Sequence, residues 1–172
     1  MTTRFNDATW SENLHHRLQS EKACVYCSPS PLAVPLNSLM FVIEMNNTTN
    51  KIEGIGLVRN SCRLDLPFNV YGERDFNRFV FRGDHRIDRE ELPLNLVELL
   101  ENILFVGKSH YKRGRSITTV GNKFYKKCQE IGDIAAADIE TIETNMKRVV
   151  KELFQTKYKK TDEEEDENKK DK

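Results

Sequence analysis

The sequence predicts an α+β fold, with a small, strongly curved antiparallel sheet or partly open barrel, flanking helices and a disordered acidic C-terminal tail. Two apolar, β-rich runs surround a polar tip between Leu36 and Asn60, which is typical of a β-hairpin. Apolar side chains recur at helical spacing near 95–105 and again after 133. The last residues are almost all polar or charged, and such a segment cannot contribute to a packed core.

A chain of 172 residues is long enough for one domain with a sizeable core. We divide it into an N-terminal helix with a proline-rich connector (1–35), the sheet with one helix near 95–105 (36–132), a long C-terminal helix (133–156) and a charged tail (157–172). The chain has no apolar run of about 18 residues and no apolar signal segment. We therefore expect a protein of the cytoplasm or nucleus, without a secretion signal or a membrane partner.

The N-terminal helix is predicted from its capping pattern, because Thr9 and Glu12 have the spacing of a capping box. An apolar stripe follows at helical spacing: Trp10, Leu14 and Leu18. The next segment, CVYCSPSPLAVP, contains three prolines. Because proline fixes φ and cannot donate to a sheet, we expect an extended connector there rather than a strand.

The second arm of the hairpin places Gly54 and Gly56 on one face, together with Ile52 and Val58. Glycine inside a strand marks either strong curvature or the close approach of another backbone or a ligand. The simpler interpretation is a curved strand in a small barrel. A further strand is predicted over 75–83, and a short closing strand over 116–120.

The most basic stretch of the chain runs over 107–127 and contains no acidic residue. Lysine and arginine can bind phosphates there while a tyrosine ring stacks on a base. The candidate nucleic-acid-binding residues are Lys108, His110, Tyr111, Lys112, Arg113 and Arg115, with Arg78, Arg82 and Arg86 extending the surface along one strand face. The alternative is a solvated loop whose charges pair with nearby acids.

The formal net charge of the chain is zero, with 27 basic and 27 acidic residues. The segment from Asp162 to Lys172 contains seven of the acids and three of the lysines. The rest of the chain is therefore mildly basic. A basic body with an acidic tail is compatible with a polyanionic partner.

Cys24 and Cys27 have the CxxC spacing that zinc sites and redox dithiols use. No second CxxC or paired histidine motif accompanies them, so structural thiols, a zinc site and a redox pair all stay open, and no other cofactor is indicated. Gly107, Lys108 and Ser109 lack the earlier glycine of a phosphate-binding loop, since Asn102 occupies that position. No nucleophile elbow or histidine–carboxylate arrangement is recognisable, and we expect a non-catalytic protein.

The hairpin FVIEM…KIEGIGLV, followed by FRG and GRSITTV, resembles the small curved sheets of PUA-like and EVE-like domains over residues 36–120. That resemblance implies a groove that binds RNA or a modified base, and it supplies no catalytic residue. More loosely, CVYCSPSPLAVP…GIGLVRN and GKSHYKRG are similar to segments of uncharacterised small proteins of nucleocytoplasmic large DNA viruses. This second resemblance implies a viral protein.

The leading hypothesis is a non-catalytic module that binds RNA or single-stranded nucleic acid through a basic loop on a curved β scaffold. The second hypothesis is a structural or assembly protein that binds a protein partner through the helix over 139–154.

Overall fold

The structure, a computed structural model, describes residues 1–62, 69–114, 116–131 and 139–170, with the side chains of the last helix described up to residue 159. The strands are β1 (Thr2–Phe5), β2 (Cys24–Ser28), β3 (Leu39–Asn46), β4 (Lys51–Arg59), β5 (Phe79–Gly83) and β6 (His85–Asp88). The α-helices are α1 (Asp7–Ser20), α2 (Leu94–Phe105), α3 (Asn122–Ile131) and α4 (Ile139–Lys170), with short 3-10 helices at Arg74–Arg78 and Arg89–Glu91. Among these described helices, none has both the length and the hydropathy needed to cross a membrane.

The α+β class is confirmed, and the strands form two sheets rather than a closed barrel. The larger sheet has the order β1-β3-β4-β6, and the smaller consists of β2 and β5. β1 runs parallel to β3, whereas the other pairs are antiparallel. The prediction of a purely antiparallel sheet is therefore wrong at this edge. The parallel pairing follows from the connection, because the chain passes through α1 and β2 between β1 and β3.

The predicted hairpin is confirmed as β3 and β4. Its register shifts between Glu44, which pairs with Gly54, and Met45, which pairs with Ile52. This β-bulge leaves Glu53 as an extra residue and reverses the alternation of faces. Ile52 therefore packs in the cluster of Ile55 and not on the glycine face where the simple period of two placed it.

Gly54 and Gly56 leave room for side chains from the neighbouring strands. A Cβ atom at position 54 would lie 2.5 Å from the carbonyl oxygen of Ile87, and one at position 56 would lie 1.9 Å from the Tyr26 hydroxyl. No real Cβ tolerates such contacts. The close approach, which was not the favoured interpretation of these glycines, is confirmed, and the approaching groups belong to the protein itself.

A buried ionic network occupies this space. The Arg86 guanidinium, 4% exposed, donates from Nε (3.0 Å) and Nη2 (2.7 Å) to Oε2 of Glu44, which is fully buried. The Tyr26 hydroxyl donates to Oε1 of the same carboxylate at 2.6 Å, and Arg86 also pairs with Asp88. Burial opposes the charge of Arg86, but the carboxylates of Glu44 and Asp88 together with the Tyr26 hydroxyl outweigh this effect and raise the pKa of the guanidinium. The prediction of Arg86 as a surface phosphate ligand is wrong, because it lies on β6 inside the protein.

The N-terminal helix differs from its prediction in both cap and stripe. Asn6 is the N-cap, since its side chain accepts from the Thr9 backbone N–H at 2.8 Å and the Thr9 hydroxyl accepts from Asn6 N–H at 3.0 Å. The predicted capping box of Thr9 with Glu12 is therefore wrong. Of the predicted stripe, Trp10 packs against Phe5, whereas Leu14 and Leu18 are 37% and 80% exposed.

The segment predicted as an extended connector contains β2. All five of its residues are buried and pair antiparallel with β5. The prolines begin at position 29, directly after the strand, and therefore do not interrupt it. Asn13 of α1 binds this strand, because its Nδ2 donates to the carbonyl of Val25 at 2.7 Å.

Two further strand predictions are wrong in extent. The predicted strand over 75–83 begins as the 3-10 helix at Arg74–Arg78 and becomes β5 only from Phe79. In the predicted strand over 116–120, one isolated bridge joins Thr118 to Thr2. Helix α3 was not predicted from the sequence, because four of its ten residues are lysine or glutamate and most of the helix lies within the basic stretch.

The long C-terminal helix is confirmed over its apolar stripe, although its predicted start at 133 lies outside the described residues. The stripe packs into the main core: Ile139, Ile142, Met146, Val149, Val150, Leu153 and Phe154. At the start of the predicted charged tail, Lys157 Nζ donates to the Arg86 carbonyl at 2.9 Å, and the Tyr158 hydroxyl donates to the same carbonyl at 3.0 Å. Lysine and glutamate favour helix, and a helix that is already formed extends easily to Lys170.

Replacing Gly56 by Ala should lower the free energy of unfolding by about 1–3 kcal/mol, because the new methyl group would overlap the buried Tyr26 hydroxyl. Urea unfolding followed by circular dichroism measures this change. Gly121→Ala is the matched control, since a Cβ there meets nothing within 4 Å, and its effect should stay below about 1 kcal/mol. Equal stability of the two variants would contradict the packing described here.

Candidate nucleic-acid interface

The predicted basic residues lie in the loop that follows α2, and this loop folds back onto the helix. The backbone N–H of Tyr111 donates to the carbonyl of Leu104 at 2.7 Å. Gly107 has a φ of +79°, a conformation that glycine adopts without strain. His110 accepts at Nδ1 from the backbone N–H of Lys112 at 3.3 Å. The imidazole of His110 therefore orders the turn.

Arg4 of β1 fixes the far side of the loop. Its Nε donates to the carbonyl of Tyr111 at 2.5 Å, and its Nη1 donates to the hydroxyl of Thr118 at 2.9 Å and to the carbonyl of Ser116 at 3.3 Å. Gly114, with a φ of +119°, lies against the same guanidinium. No sequence pattern marks Arg4, because it is an isolated arginine in a short strand.

The polar tip of the β3–β4 hairpin holds the same loop from a third side. Asn47 donates from Nδ2 to the carbonyl of Lys112 at 3.0 Å, and Lys112 Nζ donates to Oδ1 of Asn50 at 2.6 Å. The asparagine side chain is neutral, so the Lys112 charge is positioned but not neutralised.

Helix α3 adds lysines that were not among the predicted nucleic-acid-binding residues. Lys123 Nζ lies 5.8 Å from the ring centroid of Tyr111, so the helix and the loop meet at this tyrosine. Lys127 Nζ donates to the carbonyls of Ile103 (2.7 Å) and Val106 (3.0 Å) at the end of α2. Burial, and then repulsion from Lys123, lower the pKa of Lys127. The absence of acids over 107–127 was the signal that could have identified these lysines.

We call these side chains of the loop and α3 the basic surface: Lys108, Lys112, Arg113, Lys123 and Lys126. Four of them are exposed, and Lys112 is half-buried. Across the part of the chain that the structure describes, none of the five forms an ion pair with a carboxylate. The surface is therefore positively charged and accessible to an anionic ligand.

Tyr111, the predicted stacking residue, is half-buried. Its ring packs edge-on against Phe124, with 6.1 Å between centroids and an interplanar angle of 83°. Burial is the main cause that raises the pKa of its hydroxyl. The ring anchors the loop on the core and presents only part of its surface to a ligand.

The remaining candidate arginines lie elsewhere. Arg78 is exposed at the end of a 3-10 helix, and Arg82 is half-buried on β5 of the smaller sheet. Arg82 lies near α1, because its charge, after burial, lowers the pKa of His16. Arg115 lies outside the described residues.

A cleft of about 280 Å³ adjoins the loop on the side of Arg4. Polar, aromatic and acidic side chains line it, among them Arg4, Phe5, Glu12, Asn47, Tyr71, Glu73 and Phe76. The Oδ1 atom of Asn47 is buried and accepts no hydrogen bond from the described residues. The cleft therefore combines the aromatic side chains of Tyr71 and Phe76 with the guanidinium of Arg4 and the carboxylates of Glu12 and Glu73 within one small space.

The CxxC cysteines do not form a common site. Cys24 packs with Tyr26 in one cluster, whereas Cys27 packs with Val25 in another, because successive residues of β2 face opposite sides. All four cysteines are free thiols. In the described ranges, no group of three or more histidine, cysteine, aspartate or glutamate side chains is arranged to hold a metal ion.

Comparison with protein-family models, with curated proteins and with solved structures found no match to this chain. The fold and the surface thus define a class only, which is a mixed α+β domain with a basic surface.

Reaction with Ellman's reagent at pH 8 should distinguish the Cys62 thiol from those of Cys24 and Cys27. Cys62 is partly exposed and should react first, whereas burial raises the pKa of Cys24 to about 12 and also raises the pKa of Cys27. The latter two should react only after denaturation, since the thiolate is the nucleophile. Fast reaction of Cys24 or Cys27 in the native protein would contradict their buried positions.

Replacing Arg4 by Gln should loosen the basic loop, because the carbonyls of Tyr111 and Ser116 lose their donor. We expect a loss of about 1–3 kcal/mol in the free energy of unfolding and faster tryptic cleavage after Lys112 and Arg113. Arg59→Gln is the control, because Arg59 is exposed at the end of β4 and donates to the carbonyl of Asn37, away from the loop. The same cleavage rate in both variants would show that Arg4 does not hold the loop.

Proposed function

We propose that this protein binds single-stranded nucleic acid through the basic surface and does so without catalysis. One observation carries the proposal. Two groups of cations that lie apart in sequence meet at Tyr111, and none of them is paired with a carboxylate among the described residues. An ordered array of unpaired cations is what a phosphate backbone binds.

The preorganisation of the loop supports this function. Arg4, the hairpin tip and the end of α2 hold its backbone before any ligand arrives. Binding then orders fewer residues, and less of the interaction energy is lost as conformational entropy. A loop of free cations without these contacts would bind more weakly.

The preference for a single strand rests on the cleft beside the loop. The rings of Tyr71 and Phe76 in its walls suit an unstacked base, and a base within a duplex cannot enter such a space. The phosphates would contact the basic surface while one base occupies the cleft. Both features lie against Arg4, so one short stretch of nucleic acid reaches both.

The alternative function, assembly with a protein partner through residues 139–154, has less support. The apolar stripe of α4 packs into the protein's own core. A partner would have to bind the polar face of this helix or a different surface.

The triple variant Lys112→Gln, Arg113→Gln, Lys123→Gln should bind a labelled oligouridine or oligothymidine about 10- to 100-fold more weakly at low salt. The slope of log K against log salt should become shallower by about 2, since three phosphate contacts on a single strand each contribute about 0.7. Fluorescence anisotropy over a salt series measures both quantities. A duplex of equal length should bind more weakly to the unchanged protein.

Three exposed cations away from the surface provide the matched control: Arg59→Gln, Arg74→Gln and Lys159→Gln. The same loss of affinity in this variant would show an effect of total charge alone. An unchanged slope in the first variant would refute the proposed interface. Arg78→Gln and Arg82→Gln, measured separately, decide whether the footprint extends to the smaller sheet.

A further inference from the structure

A second, larger cavity lies between strand β3 and the helices α3 and α4, and it plays no part in the basic surface. Its volume is about 750 Å³, within the range of roughly 300–1,000 Å³ in which proteins bind ligands. Apolar side chains line most of it, among them Leu39, Phe41, Ile43, Phe124, Met146 and Val150. We call it the β3 groove.

The floor of the β3 groove contains an open strand edge. β1 pairs with β3 only over Ile43–Asn46. Just beyond this pairing, Met1 donates from its amino group to the Phe41 carbonyl at 2.8 Å and accepts from Ile43 N–H at 3.0 Å. Over 39–42, β3 therefore has β4 on one side and the groove on the other.

The direction of the free backbone groups follows from strand geometry. Alternate residues of a strand present their N–H and C=O to opposite sides. Because Phe41 and Ile43 bond toward Met1, the N–H of Phe41 and both backbone groups of Leu39 also point toward the groove. Among the hydrogen bonds of the described residues outside the strand ladders, none uses them.

This edge lacks the devices that usually block strand addition. Edge strands are commonly protected by proline, lysine or inward-pointing charges. β3 has no proline or lysine, and its one acid, Glu44, is fully buried in the pair with Arg86. Leu36 and Leu39, where the edge begins, are instead 82% and 60% exposed.

The rim of the groove indicates the charge of the ligand. Lys147, Arg148 and Lys151 of α4 line it, with Glu143 as the single acid. Lys147 pairs with Glu143 at 2.5 Å and Arg148 with Glu152 at 3.1 Å, whereas Lys151 has no carboxylate partner among the described residues. The excess of positive charge favours an acidic ligand.

We propose that the β3 groove binds an extended peptide as an additional strand, with alternate apolar side chains in the groove and acidic residues beside Lys151. Main-chain hydrogen bonds to Leu39 and Phe41 supply affinity, and the apolar lining selects the side chains. This site is independent of the proposed nucleic-acid function.

The probe is a short fluorescent peptide of alternating valine and threonine flanked by glutamates, added to the full chain with any purification tag at its C-terminus. Hydrogen exchange measured by NMR should show slower exchange of the Phe41 amide. The amide of Met40 already pairs with β4 and should not change. A peptide flanked by lysines should bind at least threefold more weakly.

Leu39→Pro removes one N–H that faces the groove and that β4 does not use, and proline is tolerated at the first residue of a strand. It should weaken binding of the probe about tenfold, whereas the control Leu39→Thr retains the N–H and should change affinity less than threefold. Lys151→Glu should weaken the acidic probe without changing the melting temperature.

Three outcomes would overturn the proposal. The first is no protection of the Phe41 amide at millimolar probe. The second is equal binding of a probe N-methylated at alternate residues, which would show a purely apolar ligand site. The third is protection that rises with protein concentration alone, which would identify a second copy of this chain as the occupant. The exchange measurement needs no variant, so it decides the question even if Leu39→Pro fails to fold.

Discussion

The buried pair of Arg86 and Glu44 is the interaction on which the arrangement of strands depends. It joins β6 to β3, and Tyr26 adds β2 through the same carboxylate. Removing one partner of such a pair leaves an unpaired buried charge and destabilises a protein by about 3–5 kcal/mol. This is a large share of the roughly 5–15 kcal/mol that holds a typical domain together.

The pair fits only because β4 has glycine at 54 and 56. The small residues of β4 and the charged residues of β3 and β6 therefore form a single structural unit. The backbone of Arg86 also binds Tyr158 of α4, which extends this unit to the C-terminal helix.

The rigidity of the hairpin explains how a loop of cations becomes an ordered surface. Since β3 and β4 are fixed at their centre, the tip between them holds Asn47 and Asn50 in place, and these side chains hold Lys112. β1 pairs with the same end of β3 and so positions Arg4 against the loop. Like charges repel, and a loop of this composition would otherwise remain extended in solvent. Neutral amides and backbone carbonyls provide the restraint without neutralising the cations.

The periodic spacing of apolar residues predicted some elements of this chain correctly and others incorrectly. The hairpin, α2 and the apolar stripe of α4 were predictable because their patterns are long and regular. Leu14 and Leu18 have helical spacing too, yet they are exposed, because α1 binds β2 through Asn13 instead. Arg86 has the spacing from Arg82 that would place both on one face of a continuous strand, but the bend at Asp84 separates β5 from β6 and Arg86 is buried. For the candidate site, the basic loop was predictable from composition. Its anchors, Arg4 and the asparagines of the hairpin tip, were not, because they lie at least 60 residues away in sequence.

Helix α3 shows how one short element serves two surfaces. Its lysines at 123 and 126 face solvent beside the basic loop, while Phe124 and Tyr125 are buried and line the β3 groove. A helix turns about 100° per residue, so neighbouring positions fall on different faces and a polar helix can still bury one side.

Phe124 also contacts Tyr111, the residue at which the cations of the loop and of α3 meet. The packing that orients the lysines is therefore the same packing that forms one wall of the groove. A change at Phe124 would disturb both surfaces, which makes it unsuitable for separating them, whereas the charges of Lys123 and Lys151 act on one surface each.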